Sequence, residues 1–365
     1  MVVWQLRSLV GLNNAVIDTT SPTVSSRSEA LRCFAIAATG DTGLELSQAS
    51  ADASFRSYWR VQLSDGRTHI IMDAPPDKED VRPWLDIATR LRTAGVHAPA
   101  VLAQDLMRGF LLLEDFGTRT YLPALSDATA DALYGDALAS LTRMQRNANT
   151  TDLDDYDESR LIAEMELMPE WFLNRHLTYA PTCDEWDVIE LAFRSLVDNA
   201  HQQPQVFVHR DYHSRNLLVL ENNGPGVIDF QDAVRGPITY DLVSLLRDCY
   251  IAWPAERVDA WVEGYRQRLN EVGLTNADPR TFRRWFDLMG LQRHLKVLGI
   301  FCRLWYRDGK GGYLGDLPLV WRYTREVMAL YPEFDALRRV LERCVGDRDL
   351  TTPAAANAPD SRRGS

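Results

Sequence analysis

Cysteine pairs, an excess of basic residues and long apolar runs are all missing from this chain. The five cysteines (Cys33, Cys183, Cys249, Cys302 and Cys344) include no Cys-x-x-Cys spacing. That argues against a zinc ribbon or a disulfide scaffold, and for reduced, mostly buried thiols in a cytoplasmic protein. Lys and Arg number 40 against 51 Asp and Glu, a formal net charge of −11, so the global positive field of a nucleic-acid binder is absent. No apolar run reaches the roughly 18 residues that span a bilayer, and no membrane association is expected. The opening MVVWQLRSLVGLNNAVIDTT is broken by Gln5, Arg7, Asn13 and Asn14 and reads as a soluble extension rather than a signal peptide. Neither Gly-x4-Gly-Lys-[Ser/Thr] nor Gly-x-Gly-x-x-Gly occurs, which removes the Walker loop and the dinucleotide fingerprint.

What is present is an ordinary globular composition, 45% hydrophobic and 25% charged over 365 residues, long enough for two lobes. Residues 1–28 end in a Ser/Thr/Pro-rich linker, so the folded body is expected to begin near Glu29, and the small, polar residues 349–365 read as a disordered tail. SFRSYWRVQL places Phe55, Ser57, Trp59, Val61 and Leu63 on one strand face with Arg56 and Arg60 opposite; SDG then turns the chain into THIIMD. EDVRPWLDIATRLRTAG has helical spacing stopped by Gly95, and the strands PAVLAQD and GFLLLEDFG follow. Beyond residue 125 the pattern is helical, in LYGDALASLTRMQRNA, EWDVIELAFRSLVDNAH, ERVDAWVEGYRQRLNEVG and the long stretch 280–309, with short β-like pieces only around 205–230. The order predicts a β-rich lobe of 29–116, a helical lobe of 117–348, and a ligand crevice where GFLLLEDFG joins them.

Within that helical half, HRDYHSRNLL follows the apolar strand QVFV and crowds titratable side chains into one loop. LLVL, a turn at NNGPG and VIDFQDA come next, so a hairpin over 217–228 would fold Asp229 back beside Asn216. An amide oxygen and a carboxylate are hard ligands suited to Mg²⁺. Asp211, ahead of Asn216, is placed to accept a proton. Twelve residues beyond Asp229, Asp241 opens an apolar helix in GPITYDLVSLL. Taken singly, Asp211 fits a turn, His209 a packed imidazole and Asp241 a helix cap.

Taken in order, His-x-Asp-x4-Asn, the hairpin, Ile-Asp-Phe and Tyr-Asp-Leu resemble the aminoglycoside phosphotransferase-like branch of protein-kinase-like enzymes, over roughly residues 30–345. The resemblance implies an α+β, two-lobed protein-kinase-like fold, with a small antiparallel β lobe carrying one helix and a large, mainly helical lobe. It implies Asp211 as catalytic base, Asn216 and Asp229 as Mg²⁺ ligands, and His209 and Asp241 as supports of the loop. ATP would meet the backbone of Glu114, Asp115 and Phe116, with Ala53, Ser54 and Phe55 at its phosphates.

Two departures qualify the pattern. The loop before the second strand, ASADASFRSY, is not glycine-rich, and the third strand, HIIMDAPP, has Met72 or Asp73 where a kinase carries its phosphate-binding Lys. Arg56, Arg60 and Lys78 are the substitutes at hand; without one, the chain would be a nucleotide-binding pseudokinase regulating a partner. DASFRSY, MDAPP, GFLLLEDFG and GLQRHLKVLGIFCRLWYRDGKGGYLGDLP further resemble bacterial anomeric sugar kinases of cell-wall recycling. Those enzymes phosphorylate the C1 hydroxyl of N-acetylmuramate and N-acetylglucosamine and supply a sugar-1-phosphate nucleotidyltransferase. Candidate substrate contacts are His213 and Arg215 in the loop, and Arg293 and Lys296 at the head of a basic stripe running on to Arg303 and Arg307; a solvated surface stripe is the plain alternative. An aminoglycoside or choline kinase of the same fold remains the second enzyme reading.

Overall fold

The computed structural model describes residues 26–51, 55–221 and 224–353. Five antiparallel strands, β1 (Glu45–Ala51), β2 (Ser57–Gln62), β3 (Thr68–Asp73), β4 (Val101–Asp105) and β5 (Phe110–Glu114), lie in the order β1-β2-β3-β5-β4. Period-two alternation sorts their side chains onto two faces. Val61, Leu63, Ile71, Phe110 and Leu112 form a small core with Leu31 and Phe34 of the helix Arg27–Thr39. Met72, Leu111 and Leu113 turn the other way, toward Trp84, Ile87 and Leu91 of the helix Arg82–Thr93.

The first of these helices was not foreseen, because its outer face is weakly patterned and it starts two residues ahead of the expected boundary at Glu29. Arg27 ties it to the sheet, donating to Asp73 through Nε at 3.0 Å and lying 4.3 Å above the Phe110 ring. β2 begins only at Ser57, so Phe55 falls outside the expected strand face and is 64% exposed. The phosphate contacts expected at Ala53 and Ser54, and the expectations for residues 1–25 and 354–365, lie outside the described residues. Leu350, expected in the tail, is instead buried, and its carbonyl accepts from His176 Nε2 at 2.9 Å. All five cysteines are free; Cys249, Cys302 and Cys344 are buried, while Cys33 and Cys183 are exposed.

The large lobe is helical, built around Pro279–Tyr306, whose 28 residues cross its centre. This helix lies so close to Leu167 that a Cβ on Gly299 would stand 2.2 Å from the Leu167 carbonyl carbon. Ala130–Asn147, Cys183–His201, Ala255–Glu271, Leu317–Leu330 and Asp335–Val345 pack around it, with a wide-turned helical segment over Met168–His176. Thr182 and Glu185 close a capping box at the start of Cys183–His201.

Two short ribbons carry the polar loop. β6 (Gln205–Val208) pairs with β9 (Val234–Pro237), and β7 (Leu217–Leu218) pairs with β8 (Gly226–Val227). The loop 209–216 therefore leaves β6 and is anchored at once by β7. One core runs through both lobes, and the Trp84 and Phe230 rings meet at 5.0 Å across the junction. Removing a buried aromatic of this kind costs about 3–5 kcal/mol.

Candidate active site

The loop is held from beneath by one carboxylate. Asp241 accepts the His209 N–H at 2.7 Å and the Arg210 N–H at 3.0 Å, one on each oxygen. It sits in the first turn of the helix Tyr240–Leu246, with Thr239 at the cap position, so it braces the loop instead of capping the helix. Burial raises its pKa to about 7 against the pull of those two donors. His209 bridges neighbouring segments: Nε2 donates to the Ile228 carbonyl at 3.1 Å, and Nδ1 accepts the Asp211 N–H at 3.2 Å. Burial lowers its pKa to about 4, and the neutral tautomer is the one able to make both bonds. Arg210 (φ 77°) and Asp229 (φ 64°) are non-glycine residues in the left-handed region, strain that the surrounding hydrogen bonds sustain.

These supports position three groups. No hydrogen bond among the described residues occupies the Asp211 carboxylate, which lines a cleft with His213, Tyr250, Arg293 and Lys296. Burial pushes the Asp211 pKa up, but Lys296, Arg293 and His213 outweigh it, leaving the group below the ordinary carboxylate value. The β7–β8 hairpin brings Asn216 to Asp229: Asn216 Nδ2 donates to the Asp211 carbonyl at 3.0 Å and to Asp229 Oδ2 at 3.2 Å. Its amide oxygen accepts no hydrogen bond among the described residues, while Asp229 Oδ1 accepts Gln231 Nε2 at 3.0 Å. Among the described residues, no three His, Cys, Asp or Glu side chains cluster to hold a metal ion. One amide oxygen and one carboxylate suit Mg²⁺ that takes its other ligands from phosphate and water.

Asn216 and Asp229 line two clefts at once. The first, of about 460 Å³, lies between the lobes under Tyr58, Ile70, Leu113 and Trp84, over Leu218 and Phe230, with Glu114, Asp115 and Phe116 along its rear edge. Glu114 turns its carboxylate to His97 Nε2 at 2.9 Å and the Ala100 N–H at 3.1 Å. Phe116 lies on Gly226, where a Cβ would come within 2.5 Å of the ring.

The three candidate cations separate here. Arg60 forks onto Asp115 at 2.7 and 3.0 Å, at the hinge end, and Lys78 sits 5.2 Å above the exposed Phe55 ring. Arg56 is buried, its Nε 3.2 Å from Glu79, and shares a small cavity with Met72, Trp84 and Gln231. Met72 is core, and Asp73 is taken up by Arg27.

The second cleft, of about 280 Å³, is the more highly charged. Arg293 and Lys296 are buried, at 4% and 7% exposure, which corrects the reading of a solvated stripe. Only Arg307 is exposed, paired with Asp308 at 2.7 Å, because the helix carries its C-terminal turns out of the core. Lys296 Nζ meets Glu164 at 2.9 Å and Tyr240 Oη at 3.1 Å. Arg293 donates to the Arg210 carbonyl at 3.2 Å and to Tyr240 Oη at 3.4 Å. Glu164 also accepts from Arg210 and Tyr156. Arg215 lies 3.5 Å above the Tyr250 ring, and Phe301 and Tyr313 continue the aromatic wall at 5.3 Å. Glu164, Tyr250 and Asp248, which accepts the Ser214 N–H at 3.0 Å, escaped the sequence reading; nothing in their local spacing distinguishes them from ordinary helix and turn residues.

Comparison with known proteins bears on the family and the fold. Residues 45–284 match the model of the phosphotransferase enzyme family. A Pseudomonas putida protein named N-acetylmuramate/N-acetylglucosamine kinase is 46% identical over 81% of this chain and 87% of its own length. A Neisseria meningitidis protein of the same name is 41% identical over 84% and 93%. Among solved structures, a choline/ethanolamine kinase family protein from Mesorhizobium loti superposes with TM-score 0.57 at 15% identity, covering 86% of this chain and 99% of that one. The ADP-bound aminoglycoside phosphotransferase APH(2'')-Ib superposes with TM-score 0.53 at 16% identity, covering 82% and 98%. At those identities the structures bear on the fold, which is two-lobed and protein-kinase-like.

Proposed function

The chain belongs to the phosphotransferase enzyme family, and from that premise we propose that it transfers the γ-phosphate of ATP to the anomeric C1 hydroxyl of N-acetylmuramate and N-acetylglucosamine. The observation that carries the reading is a meeting of two clefts at one pair of residues. Asn216 and Asp229 line both cavities, and the Asp211 carboxylate, free of hydrogen bonds among the described residues, lines the second. A phosphoryl donor in the first cleft and a hydroxyl in the second would meet in line across that pair, and phosphoryl transfer asks mainly for alignment and neutralised charge.

In this reading the adenine lies between Ile70, Leu113 and Leu218, against the backbone of Glu114–Phe116. Asn216 and Asp229 would hold Mg²⁺, which neutralises phosphate charge. Arg56, kept beside Gln231 by Glu79, supplies the cation that β3 lacks. Asp211 orients the acceptor hydroxyl and takes its proton; an anomeric hydroxyl is more acidic than an ordinary sugar hydroxyl, so a carboxylate held in its ionised form suffices. Lys296 and Arg293 keep it ionised. Those two buried cations also weigh against a polycationic aminoglycoside as acceptor.

The product, a sugar 1-phosphate, fits hand-off to a nucleotidyltransferase in peptidoglycan recycling, and a cytoplasmic setting fits the use of ATP. No helix among the described residues is long and apolar enough to cross a membrane. The test supplies ATP and Mg²⁺ with a panel of amino sugars, aminoglycosides and choline, follows ADP release and locates the new phosphate. Sugar-dependent turnover with phosphate at C1 is expected. Turnover on aminoglycosides or choline alone would overturn the reading, as would ATP binding with no turnover.

A further inference from the structure

The two proposed sugars differ at C3, where N-acetylmuramate carries a lactyl ether ending in a carboxylate and N-acetylglucosamine a plain hydroxyl. A cleft that distinguishes them needs a cation reachable from the seat of the anomeric hydroxyl, and three line the second cleft: Arg293, Lys296 and Arg215.

The first two are engaged. Lys296 is neutralised by Glu164 at 2.9 Å. Arg293 is buried, donates to the Arg210 carbonyl and Tyr240 Oη, and holds down the Asp211 pKa. Drawing either toward a substrate carboxylate would strip a buried partner of its compensation. Arg215 stands differently. Its side chain keeps 43% exposure, and its one ion pair among the described residues, with Asp316, is 3.9 Å long, beyond hydrogen-bond reach. The Tyr250 ring lies 3.5 Å below its guanidinium carbon. A planar fork with donors to spare is what a carboxylate accepts from in bidentate fashion. Tyr250, Phe301 and Tyr313 offer the sugar an aromatic wall beside it.

We propose that Arg215, stacked on Tyr250, binds the lactyl carboxylate of N-acetylmuramate and sets the preference between the two sugars, while Arg293 and Lys296 serve Asp211. The assignment rests on the sugar-kinase reading.

The test compares kcat/KM for N-acetylmuramate, its lactyl amide and N-acetylglucosamine in the wild-type enzyme, Arg215→Met and Arg215→Lys. In Arg215→Met the ratio of N-acetylmuramate to N-acetylglucosamine should fall about ten- to a hundredfold, mainly through KM for N-acetylmuramate. The wild-type enzyme should favour the acid over its amide, and Arg215→Met should treat the two alike. Arg215→Lys should recover part of the ratio, because charge is restored without the fork. An unchanged ratio in Arg215→Met, or a preference for acid over amide that survives it, would overturn the assignment and leave the sugar-kinase reading standing. A wild-type enzyme that phosphorylates neither sugar would overturn both.

Discussion

The two clefts that meet at Asn216 and Asp229 are built on opposite principles. The inter-lobe cleft is walled by Tyr58, Ile70, Leu113, Trp84, Leu218 and Phe230, so a nucleotide base bound there would be selected by shape and by backbone edges. Its few charges are neutralised locally, as in Arg60 with Asp115. The second cleft, the proposed acceptor side, buries Arg293 and Lys296 beside Asp211, with Glu164 paired to Lys296. Apolar walls tolerate small rearrangements, whereas a buried charge network fails when one member is lost. On the proposed reading, chemistry would be concentrated on the rigid side and the donor held on the adaptable side.

The largest effect that would break this comparison is on Asp211. Asp211→Asn keeps the shape and removes the proton acceptor, so kcat should fall about 10²–10⁴-fold with KM for ATP and sugar little changed; steady-state kinetics with a near-normal kcat would remove the base role. Next comes the shared pair. Asp229→Ala should raise the Mg²⁺ concentration for half-maximal turnover about 100-fold or more, read by metal titration at saturating sugar. Lys296→Met should cost about tenfold in kcat/KM for the sugar and little in KM for ATP, because it unbalances Glu164 and Asp211 in the acceptor cleft alone. Gly226→Ala should do the reverse, raising KM for ATP a few-fold by displacing the Phe116 ring while leaving KM for sugar unmoved.

The effect smallest on turnover concerns stability. His209 has its pKa lowered by burial to about 4 from 6.5. Its contribution is complete above pH 6.5 and is lost as pH falls toward 4, by about 3 kcal/mol in all. Urea unfolding at pH 7, 5.5 and 4.5 should show it as a difference between wild type and His209→Gln that shifts by that amount toward low pH. The total for either protein also carries buried His294, lowered to about 3, in the same sense, and Asp241, raised to about 7, in the opposite sense.

Much of this was legible in the order of residues. The alternation in SYWRVQ and THIIMD, the turn at Gly66, the helix stopped at Gly95 and the hairpin after Asn216 are local signals, and local signals survive without knowledge of the fold. Asp211, Asn216 and Asp229 were legible because they fall within one loop and one hairpin. Arg293 and Lys296 were visible as residues but not as buried ones: helical spacing says which side chains share a face and is silent on what covers it. Glu164 was invisible, since an acidic residue in the helix Glu158–Met165 looks like any solvated one until Arg210, Lys296 and Tyr156 converge on it.

The sequence by itself thus determined the two-lobed order and the grouping of Asp211, Asn216 and Asp229, held together within short stretches of chain. Tertiary structure decided which cations are spent and which remain available. Arg27 reaches Asp73, Lys296 is matched by Glu164, Arg56 is held by Glu79 beside Gln231, and Arg215 lies on Tyr250 where it lines the second cleft. The reason is physical. A charge is defined by its partners and its burial, and both are set by segments far apart in sequence that only the folded chain brings into contact.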